Sequence, residues 1–480
     1  MIDVLVAGAG PTGLLLAGDL AAKGVRVTLV ERRAEESNLT RAFAVHARTL
    51  EQLDARGLAD PVVSGGNTVD RLRVFGRASV DLSSLPSRFP FVLVTPQYHV
   101  ERVLEDRASA AGVRILRGVR VRDVDQDADG VTVDCEDLDG DRSQLRASYL
   151  VGTDGHHSAV RGALGLDFPG ASVVRSVMLA DVRMSDPPPG LLTFNANAHG
   201  FFFVVPFGDG WFRVIARDPD RELPDDAPVT MTDVVGVAER VVGTDFGMHD
   251  ARWMSRFHSD ERQVHHYRVG RVFLAGDAAH VHSPAGGMGM NTGLQDAANL
   301  SWKLAAVVAG RGDDRLLDTY HAERHPVGKM VLRTSGGLIR AALIRRGPAR
   351  ALRDAAGAVA FRVPPVARRL GLRISGLDIA YRPPPDSHRP VGTRAEDAVG
   401  QDGRRLYEAL RSGAFVLVAP QGFPAPQVDG QLDVLLLQAG TPRLVRPDGY
   451  VGWAGDDTDG LRAALRTWGA LGPEEEGSSA

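Results

Sequence analysis

A mixed α/β fold of two or three domains is what this sequence predicts, and three observations predict it. The chain opens IDVLVAGAGPTGLLLAGDLAAKGVRVTLVERR, which reads as strand, glycine turn, helix and second strand. Two later segments, YLVGTDGHHSAVRGALG (149–165) and RVFLAGDAAHVHSPAGGMGMNTG (271–293), again run an apolar strand into a glycine-bearing turn. Between them, residues 171–265 alternate or run apolar with polar turns, as in LADVRM and GFFFVVPFGDG, which predicts antiparallel sheet. At 480 residues the chain exceeds what one core ordinarily holds.

The first strand, residues 2–7, ends on Gly8-Ala9-Gly10-Pro11-Thr12-Gly13. In a GxGxxG turn the first glycine permits the tight bend, the second lets backbone approach a pyrophosphate, and the third lets helix pack on strand. The helix start then offers N–H groups and partial positive charge to phosphates. The second strand ends on Glu31, 18 residues past Gly13, where a carboxylate can accept hydrogen bonds from a ribose diol. This is a Rossmann-type dinucleotide site, and Glu31 alone leaves NAD and FAD both open. In the second segment Asp154-Gly155 precedes a helix start with Ser158 and Arg161. The third carries Gly276-Asp277 and a glycine-rich helix entry, which suits a tight turn, a metal or bare backbone against an anion or ring.

In the predicted sheet Phe201, Phe203 and Val205 share a face by period two. That face either lines a pocket or is core, and Arg213 is a further candidate for substrate contact. A pocket of Phe, Val and Pro suits a large, flat, weakly polar molecule. After about residue 385, PPPDSHRPVG reads as a linker, FVLVAP, LDVLLLQ and LVRPDGYVGWAG as strands, and DTDGLRAALRTW as a closing helix.

Bulk properties exclude several classes. The chain is 44% hydrophobic and 24% charged, with a net charge of −4. Its basic residues are scattered and only Lys23, Lys303 and Lys329 are lysines, so nothing marks a nucleic-acid surface. The single cysteine, Cys135, excludes an internal disulfide and a CxxC pair. No apolar run reaches the roughly 18 residues of a membrane span, and the N-terminus lacks the basic start of a signal peptide. A cytoplasmic enzyme is the default reading. No metal is expected: His280 and His282 lack an acidic or cysteine partner at ligand spacing. His321, Glu323 and His325 read HxExH rather than HExxH, which predicts a solvated helix face. Ser158 follows no GxSxG, so it is no hydrolase nucleophile.

GAGPTG at the start, DG in the middle and GD late resemble the three marks of class A FAD-dependent monooxygenases, the para-hydroxybenzoate hydroxylase-like aromatic hydroxylases. Thr95-Pro96-Gln97 with Glu101 and Leu104, RAFAVHARTLEQLDARGL (41–58) and LLDTYHAERHPVG extend the likeness over most of the chain. SGLDIAYRPP and LVRPDGYVGWAG are most similar to aromatic polyketide hydroxylases and the rifampicin monooxygenases. The resemblance implies a discontinuous FAD domain (1–170 plus 266–384), an inserted antiparallel-sheet substrate domain (171–265) and a thioredoxin-like C-terminal domain (385–480). The last lacks cysteine and so cannot exchange disulfides.

By the same resemblance FAD is held by Gly8, Gly10, Pro11, Thr12, Gly13, Glu31, Arg32, Arg41, Gln97, Val121, Asp154 and Asp277. Pro284, Gly287, Gly289, Met290 and Asn291 lie along the isoalloxazine, with backbone N–H groups near Met290 and Asn291 facing its N1–C2=O edge. Met288 stands where relatives often carry glutamine. NADPH or NADH reduces the flavin, O2 adds at C4a, and the terminal peroxide oxygen passes to a polycyclic phenol. No second GxGxxG marks a separate nicotinamide domain. The implied partners are the aromatic substrate and O2, without nucleic acid or membrane, and the protein is a monomer or homodimer. Baeyer–Villiger or epoxidising oxygenation, or an FAD oxidoreductase without oxygenation, are the rival readings. No catalytic base is assigned.

Overall fold

The protein is described from a computed structural model over residues 1–35, 42–75, 78–188, 193–207, 209–283, 286–344, 347–348, 351–352, 355, 363–385, 387–428 and 430–472. Its first sheet runs Arg268–Val269, Val272–Leu274, Arg142–Gly152, Ile2–Ala7, Val27–Glu31 and Arg114–Arg117. The last five are parallel, and Arg120–Gln126 with Val131–Glu136 extends the sheet as an antiparallel hairpin. The chain builds outward from Ile2–Ala7 on one side, then returns to add Arg142–Gly152 and Val272–Leu274 on the other. Strand order therefore reverses between Ile2–Ala7 and Arg142–Gly152, which opens a crevice at their carboxyl ends. The short apolar runs seen in the sequence are buried because helix Pro11–Ala21 packs on this sheet, with helices Gln97–Ala110 and Met288–Val308 packed in turn on that helix.

The predicted antiparallel sheet is present, in the order Thr193–Asn197, Gly200–Pro206, Phe212–Arg217, Gly170–Met184, Met248–Gln263 and His280–Val281. Its last strand comes from the glycine-rich third segment, so the sheet reaches past residues 171–265 and is stitched to the dinucleotide unit. One face, with Phe202, Val204, Val214 and Ala216, is covered by helix Met231–Val242. The opposite face, with Phe201, Val205 and Ile215, merges with the main core.

The third unit is a four-stranded sheet ordered Leu432–Leu437, Phe415–Pro420, Arg443–Val445, Val451–Ala454. Its first two strands are parallel and the rest antiparallel, with helix Thr458–Thr467 following. That order is thioredoxin-like. It docks through buried charge: Arg446 binds Glu323 (2.6 and 3.0 Å) and Asp448 (2.6 and 3.1 Å), and Lys303 also binds Glu323 (2.8 Å). Arg394 grips Glu51 (2.7 and 2.8 Å), and Arg48 reaches Tyr407 Oη at 2.7 Å. This corrects the solvated-face expectation for residues 321–325. Glu323 is buried because its main counter-charge, Arg446, comes from a unit more than 100 residues away, which local spacing does not reveal. Among the described residues no helix is long and apolar enough to cross a membrane.

Candidate active site

Three strand ends meet at the crevice. Gly8 sits at φ +106°, in the left-handed half of backbone space, and a Cβ there would lie 2.5 Å from the Thr153 carbonyl oxygen. A Cβ on Gly13 would collide with the Gly8 carbonyl. Both are glycines because protein backbone fills their side-chain space. Gly10 differs: a Cβ there meets nothing within 4 Å. The turn thus turns a bare edge to open space in front of helix Pro11–Ala21. No side chain caps that helix, and its first backbone bond is Leu14 N–H to Gly10 O at 3.0 Å. The N–H groups of Thr12 and Gly13 precede that bond, the arrangement that receives a pyrophosphate.

Glu31 accepts the Ala9 N–H at 2.7 Å and the Arg33 N–H and Nε at 3.0 and 2.9 Å. Burial pushes its carboxyl pKa up, and the bonds from Arg33 and Ala9 outweigh that and hold it below the ordinary value. The carboxylate braces the glycine turn and keeps acceptor capacity for a sugar hydroxyl. Arg32 is exposed beside it. Gln97 opens its helix, accepting the Ala42 N–H at 3.1 Å and donating to Glu101 at 2.8 Å. Val121 is a buried sheet position opposite Cys135. Arg41 and Pro284 lie outside the described residues.

The segments are tied to one another. Thr153 Oγ1 donates to the carbonyls of Ala7 (2.8 Å) and Gly8 (2.9 Å). Arg161 donates to Ala278 O at 3.0 Å. A Cβ on Gly276 would lie 2.8 Å from Thr12 Oγ1, and one on Gly293 would collide with it, so Thr12 packs closely on both the third segment's turn and the helix that follows it. Asp154 has a local role: its carboxylate accepts Ser158 Oγ (2.5 Å) and the N–H groups of Ala159 (2.7 Å) and Val160 (3.2 Å). It caps helix Ala159–Ala163, and burial raises its pKa despite those bonds. Asp277 is exposed on the 3-10 turn Gly276–Ala278 at the crevice mouth. Asp277→Ala is expected to weaken FAD binding by about 10- to 150-fold, the loss of a charged acceptor worth roughly 1.5–3 kcal/mol. Titration of apoprotein with FAD checks this, and an unchanged Kd would remove Asp277 from the site.

At the other end, Gly287 takes the left-handed conformation (φ +63°, ψ 28°) and starts helix Met288–Val308 without a side-chain cap. The free N–H groups of this helix start therefore extend over Met288, Gly289 and Met290. Asn291 works by its side chain. It accepts the His46 N–H (2.8 Å) and donates to Ala44 O (2.9 Å) and Gly287 O (2.7 Å), which fixes the helix start against strand Ala44–Val45. The histidines are accounted for without metal. His280 Nε2 meets Asp296 at 2.6 Å, and His282 Nδ1 donates to Ser283 O at 2.9 Å. Burial lowers the His282 pKa to about 4, so the ring is neutral. No group of three or more metal-ligand side chains occurs among the described residues. Asp296 and its partner Arg324 (2.7 Å) were missed in the sequence, where 28 residues separate them.

The sheet face divides. Phe201 and Val205 are 6% and 0% exposed and belong to the core between the sheet and the dinucleotide unit. Phe203 keeps partial exposure, its ring 5.5 Å from Phe43 and 6.4 Å from Phe194. Arg213 is 0% exposed. It binds Asp181 through Nε (2.5 Å) and Nη2 (3.0 Å), with the rings of Phe207 and Trp253 at 5.3 and 5.1 Å. The structure gives Arg213 an internal ion pair in place of the expected substrate contact. Phe43, which sequence reading did not single out, joins the two ends: it precedes Ala44 and His46, both bound by Asn291, and its ring lies against Phe203.

This arrangement fits FAD at both ends, with the open cradle at Gly10 and the uncapped helix start at Gly287. An FAD binding domain family model matches residues 1–335, and an aromatic-ring hydroxylase C-terminal model matches residues 388–471. The 12-dehydrotetracycline 5-monooxygenase/anhydrotetracycline 6-monooxygenase of Streptomyces rimosus is 39% identical over 97% of this chain and 98% of its own. The rifampicin monooxygenase of Streptomyces venezuelae is 39% identical over 98% of each chain. The solved structure of CabE, an aromatic hydroxylase from angucycline biosynthesis, superposes with a TM-score of 0.87 at 36% identity, covering 98% of this chain and 100% of that one. The chain belongs to the FAD binding domain family of aromatic-ring hydroxylases and is an FAD-dependent monooxygenase.

Proposed function

We propose that the protein hydroxylates a polycyclic aromatic phenol of the polyketide type, consuming NADPH or NADH and O2. The observation that carries this reading is the partly exposed Phe203, on the sheet face that meets the uncapped helix start through Phe43 and Asn291. Support for the substrate class comes from the relatives named for anhydrotetracycline and rifampicin. Bound FAD supplies the redox chemistry, accepting hydride and activating O2. The chain's residues do the rest. Gly10 and the N–H groups of Thr12 and Gly13 receive the phosphates. The backbone of Met288, Gly289 and Met290 presents helix-end N–H groups that favour negative charge on the ring edge. Phe203, Phe43 and Phe194 present apolar ring surface that holds a flat acceptor close and keeps water away.

Screening polycyclic phenols for stimulated NAD(P)H oxidation with oxygenated product tests the reading, and a panel that stimulates nothing counts against it. Phe203→Ala should then keep NAD(P)H oxidation while product falls and hydrogen peroxide rises, because the acceptor is held less closely. Peroxide released per NAD(P)H consumed is the quantity to measure. An unchanged ratio would place the substrate elsewhere than against this ring.

A further inference from the structure

A single chain of buried polar groups runs from the flavin helix to the thioredoxin-like unit. Asp296 accepts the Gly276 N–H at 3.1 Å and His280 Nε2 at 2.6 Å with one oxygen, and Arg324 Nε at 2.7 Å with the other. Arg324 also donates through Nη2 to Thr292 O at 3.2 Å and through Nη1 to Tyr381 Oη at 3.3 Å. Thr292 stands near the start of helix Met288–Val308, and its Oγ1 donates to Met288 O at 2.9 Å. The Tyr381 ring lies 4.1 Å from that of Tyr450, and the Arg446 guanidinium sits over both, at 5.3 and 5.9 Å. Asp296, Arg324, Tyr381, Arg446 and Tyr450 are all buried, so water cannot replace these partners.

We propose that Arg324 is a positioning residue for the flavin site, setting the distance between the Gly276 turn and the start of helix Met288–Val308, and that the C-terminal unit takes part by clamping Tyr381. Each end of the flavin site ends at a backbone atom of this chain: the Gly276 N–H on the sugar side, the Thr292 carbonyl on the ring side. A rigid guanidinium bridging a carboxylate, a carbonyl and a phenol fixes three groups at once, which a flexible ammonium does not. The C-terminal unit lacks cysteine and so offers no disulfide exchange. The proposal rests on the flavin reading above and adds a role for the C-terminal unit.

Two matched tyrosines make the test. Tyr381 Oη accepts from Arg324, whereas Tyr450 Oη is buried and finds no hydrogen-bond partner among the described residues. Both variants, Tyr381→Phe and Tyr450→Phe, keep their rings and the stack between them. With full-length protein, FAD affinity, the visible flavin spectrum, the flavin midpoint potential and thermal stability are measured for wild type and both variants. Tyr381→Phe is expected to bind FAD about tenfold more weakly, the loss of one hydrogen bond to a charged group, and to shift the flavin spectrum and potential. Tyr450→Phe should match wild type in all of these. Arg324→Lys should show the same spectral shift, more strongly. If Tyr381→Phe and Tyr450→Phe are alike in affinity, spectrum and potential, the proposal falls while the flavin site stands. Wild-type protein that binds no FAD overturns the flavin reading itself, and this proposal with it.

Discussion

Gly10→Val should strip FAD from the protein while leaving its fold in place. A Cβ at this position meets no protein atom within 4 Å, so the first carbon of a side chain opens into free space in the apoprotein. The same space is where the pyrophosphate must approach backbone, so the valine excludes the cofactor. FAD affinity should fall more than about 100-fold, at least roughly 2.8 kcal/mol at 1.4 kcal/mol per tenfold. Gly13→Val is the contrast. There the added carbon meets the Gly8 carbonyl, and the strand–helix packing itself should fail. Flavin content after purification, with melting of the apoprotein, separates the two. A Gly10→Val protein that purifies yellow with full flavin content would remove the first glycine turn from the site.

Arg446→Ala should cost about 3–5 kcal/mol of stability at neutral pH, because it strands Glu323 and Asp448 in the interior without their main cation. The loss should depend on pH in a defined sense. Burial pushes Glu323 up, and Arg446 and Lys303 outweigh it, holding that carboxyl well below the usual carboxylate range. A group with a depressed folded pKa contributes stability above its unfolded value, near 4.3, and loses it as pH falls. Removing the cation removes that contribution, so the gap between wild type and variant should be widest near pH 7 and narrow below about pH 4. Denaturant titration followed by tryptophan fluorescence suits the measurement, since Trp302 and Trp468 lie 5.3 and 4.7 Å from the Arg446 guanidinium. A gap that is small at pH 7, or that widens in acid, would contradict this account of the docking.

What was legible in the sequence was what local backbone chemistry dictates. The turns at Gly8 and Gly13 need glycine because carbonyls occupy the side-chain space, so their spacing carries the fold. Period two placed Phe201, Phe203 and Val205 on one face, and the structure keeps them there. It could not tell core from pocket, because the exposure of each depends on Phe43, Phe194 and the rest of the main core. Arg213 misled for the same reason: its partner Asp181 lies 32 residues away on the neighbouring strand. The cap that Asp154 forms within six residues was not read from the sequence. The buried chain from Asp296 through Arg324 to Tyr381 and the C-terminal unit left no local mark, because each link joins residues distant in sequence.

A monooxygenase takes the product's new oxygen from O2 rather than from water. FAD-loaded protein, NADPH and a polycyclic phenol that stimulates its oxidation are incubated under heavy-isotope O2, and the product is weighed by mass spectrometry. One heavy oxygen atom is expected in the product for each NADPH consumed productively. Product whose mass is unchanged, or whose added oxygen derives from water, would contradict a monooxygenase reaction.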